Sequence, residues 1–235
     1  MAWFTDWLTG WFRQLHSTFI EGERYRMLLE GLGNTLIITL GALVIGVVLG
    51  SLVAVLRVFS DGNPKLGFLN WLCRAYVTVF RGVPVVVQLL IFFFVIMQSA
   101  SGITVAIVAF GVNSGAYVAE VMRSGILAVD PRQTEAGRSL GLTKSQTMWK
   151  VVFPQAFKNI LPAIGNEMIA LLKETSVAGY VAVKDLTRSG NLIRNNTYDA
   201  VNPLLLVAVA YLLMVMGLTA LLSRLERRLR KSDRR

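Results

Sequence analysis

The sequence holds a single cysteine, Cys73, and a single histidine, His16. One thiol cannot build an intramolecular disulfide framework, and one imidazole excludes a metal site made of several histidines. No G-x-x-x-x-G-K-[S/T] run occurs, so the chain has no phosphate cradle of that type and is not expected to bind ATP itself. Charge is also scarce: 16% of the residues are Asp, Glu, Lys or Arg, where a soluble domain carries about a quarter. The scarcity is one-sided, because 24 basic residues stand against 14 acidic ones for a net charge of +10. Apolar residues fill 54% of the chain. A nucleic-acid binder shares the basic excess but not this apolar content, so no nucleic-acid partner is expected. The composition suits apolar surface facing lipid, with positive charge gathered in particular places.

The gaps between charges locate the spans. A helix crosses a bilayer with about 20 mostly apolar residues. No charge lies between Glu30 and Arg57, or between Asp199 and Arg224, which predicts spans over about 31–56 and 200–223. The gap from Gly82 to Ala119 is too long for one span. The small, polar stretch Gln98-Ser99-Ala100-Ser101-Gly102 divides it, which predicts a hairpin of spans 71–98 and 103–125 joined by a very tight turn. Residues 151–183 are largely apolar but carry Glu167, Lys173 and Glu174, and hydropathy leaves them undecided.

Topology settles that region. Lys and Arg near span ends mark the cytoplasmic side. The tail carries Arg224, Arg227, Arg228, Arg230, Lys231, Arg234 and Arg235, and the segment after the third span carries Arg123, Arg132, Arg138, Lys144, Lys150 and Lys158. Both belong inside, so the chain must cross once more between Lys158 and Asp199, over about 155–182. The expectation is an all-α integral membrane protein of five spans, N-terminus outside and C-terminus cytoplasmic. With Arg57, Lys65, Arg74 and Arg81, seventeen of the 24 basic residues then fall inside. No cleavable signal peptide is expected at the start. Within an expected N-terminal segment over 1–30, Trp3, Phe4, Trp7, Leu8, Trp11, Phe12, Leu15 and Phe19 recur on one helical face. Such a face suits a helix lying at the membrane interface, or one packed against the protein's own outer rim.

The loop 126–154 is the least apolar long segment, and it is clearly punctuated. Asp130 suits an N-cap, Pro131 the first helical position, and Gln133 the reciprocal place of a capping box. Gly141 suits a left-handed C-terminal residue, and Thr143 with Gln146 makes a second capping box. These signals predict a short helix over 131–140, a turn, and another helix leading into the fourth span. So short a helix is marginal alone. Ala136 and Leu140 give it little apolar content, so neighbours or a partner must hold it. A basic tail, 225–235, closes the chain.

Polar groups at membrane depth are costly and mark functional positions. Glu167 lies nine residues past Lys158, a depth of about 13–14 Å in a core of about 30 Å. Asn113 lies ten residues before Arg123, about 15 Å from the same face. Both therefore reach the region where transporters bind substrate. Gln88 is shallower and can line the same cavity. Gly111 and Gly115 flank Asn113 at a spacing that admits another helix or a ligand. Gly46 and Gly50 repeat that spacing in an apolar setting that suits packing. A carboxylate at Glu167 can accept an α-ammonium, guanidinium or imidazolium group. Lys173 and Glu174 lie nearer the outside, as a pathway mouth or an internal ion pair.

Glu135-Ala136-Gly137, Gly141, Val151, Phe153 and Pro154 resemble the "EAA" signature of ABC-importer permeases, E-A-A-x3-G-x9-I-x-L-P, with Gly137 in place of the second Ala. Gly33-Asn34-Thr35-Leu36, Phe80-Arg81-Gly82-Val83-Pro84, Asn113-Ser114-Gly115-Ala116-Tyr117 with Glu120 and Arg123, Pro154-Gln155-Ala156, Asn166-Glu167 and Lys173-Glu174-Thr175-Ser176 resemble the polar-amino-acid branch of that family. The matches run over about 31–223; the turn between the second and third spans looks shorter than the family's.

The resemblance implies a permease domain over 31–224 in a prokaryotic inner membrane. It implies a coupling helix carrying Glu135, Ala136, Gly137, Leu140 and Gly141 that docks on a cytoplasmic ATPase subunit, and a ligand site at Glu167 with Asn113, Gln88, Ser114 and Tyr117. It further implies paired permease chains, a dimer of ATPase subunits holding ATP and Mg, and an external amino-acid-binding protein. The chain itself would catalyse nothing and hold no cofactor or metal. The expected function is import of a polar L-amino acid, with a tilt to a cationic one. The rival is an ion-coupled secondary transporter using Glu167 as a proton or substrate site.

Overall fold

The computed structural model describes residues 2–60 and 64–231. Side chains of residues 2–5, 7, 8, 64, 230 and 231 also lie outside the described set. Trp3, Phe4, Trp7 and Leu8 of the N-terminal aromatic face, and Arg230, Lys231, Arg234 and Arg235 of the tail, therefore lie outside the described residues. Every regular element among the described residues is helical, and the chain is an all-α membrane protein. Among the described residues, three helices are long and apolar enough to cross a bilayer: α2 (Tyr25–Ser60), α5 (Gly102–Leu127) and α10 (Asn202–Lys231). α2 and α5 contain the stretches expected at 31–56 and 103–125, and α10 covers all but the first two residues of that expected at 200–223.

The stretch expected as one span over 71–98 is not a single helix. It consists of α3 (Gly67–Gly82), then α4 (Val85–Ile91) running into a π-helical segment, Phe92–Ile96, with a bend of 108° at the break. Counting the bent pair as one span makes a fourth. The cause is local. A residue before proline is pushed out of the α region, and Val83 is extended at φ −96°, ψ 134°. Pro84 follows at ψ 135°. Charge gaps report burial in lipid and carry no information about the backbone, so the break escaped them.

The fourth expected span, 155–182, holds α8 (Phe153–Glu174) followed by a 3-10 segment, Thr175–Val181. At 22 residues α8 is about 33 Å long, enough for the hydrocarbon core. It carries Lys158, Glu167, Lys173 and Glu174, so composition alone does not mark it as a span. One helix was absent from the sequence reading: α9 (Leu186–Thr197), capped by the Asp185 carboxylate, which accepts from the Thr187 and Arg188 amides.

Small residues set the centre of the fold. α2 lies along α5, and the glycines that looked like packing residues sit in that contact. A Cβ at Gly46 would come within 2.8 Å of the Ser114 hydroxyl, and one at Gly50 within 2.6 Å of the Val118 Cβ. Gly111 of α5 meets Ile45 in the same way, at 2.7 Å. Around this pair, Ile38, Ala42, Leu89, Ala109, Phe110 and Leu171 are buried together from α2, α4, α5 and α8. Toward the other end, Ala54, Val118, Val152, Ala156 and Ile160 form a second cluster. α9 is tied to the start of α2: the Leu186 amide donates to the buried Thr35 hydroxyl at 3.1 Å, and Asn34 donates to the Lys184 carbonyl at 2.9 Å.

The N-terminal helix α1 (Ala2–Phe19) is fastened at its C-terminal half to the start of α10. Trp11 donates to Asn202, Thr18 and Asn202 donate to the Asp199 carboxylate, and Phe19 packs with Leu28 and Val207. Burial pushes the Asp199 carboxyl up. Hydrogen bonds from the side chain and backbone of Asn202, from Thr18 and from the Val201 amide outweigh it and hold the group below the ordinary aspartate value.

The α2–α5 contact leads to a direct expectation. Gly50→Leu forces extra atoms into the Val118 contact, which costs about 1–3 kcal/mol by overpacking, and should lower the melting temperature of the purified protein by several degrees. Gly33→Ala, whose Cβ meets no atom within 4 Å, should leave it unchanged or slightly raised. Equal melting of Gly50→Leu and the parent would contradict the contact.

Candidate functional site

Four of the five residues expected at the ligand site form two hydrogen-bonded pairs joined at adjacent positions of α5, and the fifth lies one helical turn away. Asn113 and Ser114 are buried on α5. The Ser114 hydroxyl donates to Glu167 Oε1 of α8 at 3.0 Å, and Glu167 is half-buried. Asn113 Oδ1 accepts from Gln88 Nε2 of α4 at 3.2 Å. The site is thus shared by α4, α5 and α8. Gly115 leaves room on the same turn for Tyr76 of α3, whose hydroxyl donates to the Val112 carbonyl at 2.6 Å. Tyr117 lies one turn further along α5, and the Arg81 guanidinium stands over its ring, 5.2 Å from the centroid. Among the described residues, no group of three or more His, Cys, Asp or Glu could hold a metal ion.

Gln88 has a part in the fold that its sequence position did not suggest. It is only 5% exposed. Its amide nitrogen donates to the Phe80 carbonyl at 2.8 Å and the Val83 carbonyl at 2.7 Å, both across the break between α3 and α4. A helix end leaves carbonyls without intrahelical donors, and Gln88 reaches back to satisfy two of them. Its two N–H groups thereby serve three acceptors, Asn113 included, while its own Oε1 is buried without a partner. The side chain therefore clamps the bend and ties it to Asn113.

The loop 126–154 follows its punctuation closely. α6 (Pro131–Ser139) starts at Asp130, whose carboxylate accepts from the Arg132 amide at 2.9 Å. Gly141 is left-handed at φ +83°. The Thr143–Gln146 capping box is complete in both directions and opens α7 (Lys144–Thr147). Gln133 differs from expectation: its side chain accepts from Gln155 at 3.3 Å rather than closing a box with Asp130, whose cap is taken by the Arg132 amide instead. Gly137 is the one buried residue of α6, and a Cβ there would sit 2.7 Å from Thr147 Cγ2. That contact accounts for glycine where the signature has alanine. Glu135 and Ala136 are exposed, and Leu140 is 83% exposed.

One further arrangement was not read from the sequence. Glu120 of α5 pairs with Arg57 of α2 at 3.0 Å and with Arg123 one turn on. This partly buried cluster locks the far end of the α2–α5 pair. Arg57 and Glu120 lie 63 positions apart, and no local pattern links them. The internal ion pair considered for Lys173 and Glu174 is not formed; Lys173 is exposed and Glu174 half-buried.

The role of Gln88 is open to measurement. Gln88→Leu removes the donor to both carbonyls at the break, and unsatisfied buried groups cost about 1–3 kcal/mol each. It should lower stability by more than Asn113→Ala, which leaves both carbonyl bonds in place. A melting temperature for Gln88→Leu equal to the parent's would refute the clamp.

Comparison with known proteins agrees with this architecture. The family model described as "Binding-protein-dependent transport system inner membrane component" matches residues 46–231. The arginine transport system permease protein ArtQ of Bacillus subtilis (strain 168) is 36% identical over 210 residues, covering 88% of this chain and 94% of the relative. The glutamine transport system permease protein GlnP of Escherichia coli (strain K12) is 34% identical over 209 residues, covering 87% and 93%. Among solved structures, a crystal structure of an amino acid ABC transporter with histidines aligns over 89% of this chain and 98% of its own, at 39% identity and a TM-score of 0.82. An inward-facing MetNI methionine ABC transporter aligns over 87% and 97%, at 25% identity and a TM-score of 0.74. The chain therefore belongs to the family of binding-protein-dependent transport system inner membrane components, the permeases of ABC importers, and is a multi-pass inner-membrane protein.

Proposed function

We propose that this chain is the membrane-spanning subunit through which an ATP-driven importer moves a polar L-amino acid into the cytoplasm. The observation that carries the reading is the Glu167 carboxylate. It lies at bilayer depth, held by Ser114, with Asn113 on the adjacent position of α5. A carboxylate there is costly unless it serves a cationic group, and an amino acid brings one. The names of the relatives, arginine and glutamine permeases, support an amino acid as the cargo.

The remaining parts follow from that assignment. α8 is the fourth of five spans, so the N-terminus lies outside and the tail inside. α1 then lies at the outer membrane interface. α6 faces the cytoplasm and docks, through the exposed Glu135, Ala136, Leu140 and Gly141, on an ATPase subunit that holds ATP and Mg, while the buried Gly137 seats the helix on Thr147. The exposure of Leu140 and of the α6 surface supports that docking. Two permease chains enclose the pathway, since five spans are too few to line it alone, and an external binding protein delivers the cargo to the outer mouth. Closure of the ATPase pair moves α6, and α5 transmits the movement, because only residues 128–130 separate the two helices. An ion-coupled transporter would leave α6 without a purpose.

Two variants test the reading in proteoliposomes holding the complete importer. Glu135→Lys should abolish ATP-driven uptake or prevent the ATPase from assembling; unchanged uptake would overturn the docking assignment. Glu167→Ala should assemble normally but lose most amino-acid uptake. Normal uptake kinetics in that variant would overturn the substrate site.

A further inference from the structure

Arg81 is the charged group beside the candidate site that the account so far leaves without a task. It sits in the last turn of α3, immediately before the break. A cation is favourable at a helix C-terminus, which explains its tolerance there but not its direction. The guanidinium leans onto α5, over the Tyr117 ring, at cation–π distance. Its side chain is exposed, and among the described residues it makes neither a hydrogen bond to protein nor an ion pair. Five N–H donors in a rigid fork are therefore free.

The ring that carries Arg81 belongs to the same turn of α5 as the groups that hold Glu167. Tyr117 is three residues from Ser114 and four from Asn113, so the three side chains share one face of the helix. Arg81 meets this turn through Tyr117, and Glu167 meets it through Ser114, with no ion pair between them. The result is a cation and an anion set apart against one helical turn. An α-amino acid has the same charge arrangement in reverse.

We propose that Arg81 and Glu167 are the two poles of a zwitterion site, in which the Arg81 guanidinium takes the substrate α-carboxylate and Glu167 takes the α-ammonium. This rests on the reading of Glu167 as the substrate site. Guanidinium and carboxylate pair in a bidentate fork, and Tyr117 holds the fork at a set height above α5. The substrate side chain is then directed away from Glu167, so the fixed poles read the amino-acid backbone and leave side-chain selection to other residues. Under this assignment, Glu167 does not by itself favour a cationic side chain.

The test uses the complex of this chain with its ATPase subunits, purified in detergent without binding protein, and calorimetric titration with L-arginine, L-glutamine and their α-amides. An α-amide keeps the ammonium and side chain but removes the carboxylate charge. The parent should bind each amino acid at least about tenfold more tightly than its amide, as expected for one charge-assisted pair. Arg81→Gln should weaken the acid about tenfold and bring acid and amide within about twofold of each other. Arg81→Lys should keep most of the gap, because the charge remains. An unchanged gap in Arg81→Gln overturns the assignment. So does the absence of a gap in the parent, which decides the matter even if Arg81→Gln does not assemble. Loss of both amino acids in Glu167→Gln beside an intact gap in Arg81→Gln removes the Arg81 pole alone. If neither amino acid binds the parent, the substrate site itself fails, and this inference with it.

Discussion

Close approach of α2 to α5 positions nearly everything else in the molecule. Helices in lipid gain no hydrophobic drive from one another and associate through packing and hydrogen bonds. Here Gly46, Gly50 and Gly111 remove the side chains that would hold the two backbones apart. With α2 seated on one side, α5 has its remaining faces for α3, α4 and α8. Val112, Asn113, Ser114 and Tyr117 on α5 engage all three of these elements: Tyr76 and Arg81 of α3, Gln88 of α4 and Glu167 of α8. A rigid α5 is thus the shaft around which the polar site is assembled. The Arg57–Glu120–Arg123 cluster pins its far end, a few residues before the loop that leads to α6.

The broken span is the natural companion of such a shaft. The break at Val83-Pro84 turns the chain by 108°, frees carbonyls that need donors, and brings Gln88 back to supply them. The same amide reaches Asn113. Backbone geometry at the bend and the polar site are therefore linked through one side chain, and a shift in either is felt by the other. Irregular backbone at membrane depth is tolerated only where protein or a water-filled cavity surrounds it, and the Gln88 clamp meets that requirement from within.

What the sequence revealed, and what it hid, divides along physical lines. Three spans were legible because long charge-free runs have few other uses. The loop 126–154 was legible almost residue by residue: Asp130, Pro131, Gly141 and the Thr143–Gln146 pair are local devices that act within three or four positions of themselves. Gln133 misled because its side chain had a nonlocal partner, Gln155. The bend was missed because hydropathy is blind to a proline's effect on its neighbour, although Val83-Pro84 stood in view. α9 was missed because it is short and polar; the Asp185 cap was the available signal. Asn113 and Glu167 could be picked by depth, and Ser114 by the resemblance, but that Ser114 meets Glu167, and that Arg81 stands beside them, depends on helix packing that no spacing encodes.

Uptake by proteoliposomes that hold this chain, its ATPase subunits and the binding protein tests the central claim most directly. A labelled polar amino acid should accumulate only with ATP on the cytoplasmic side, and at the same rate whether or not a proton or sodium gradient is imposed. Accumulation without ATP, driven by such a gradient, would contradict the account.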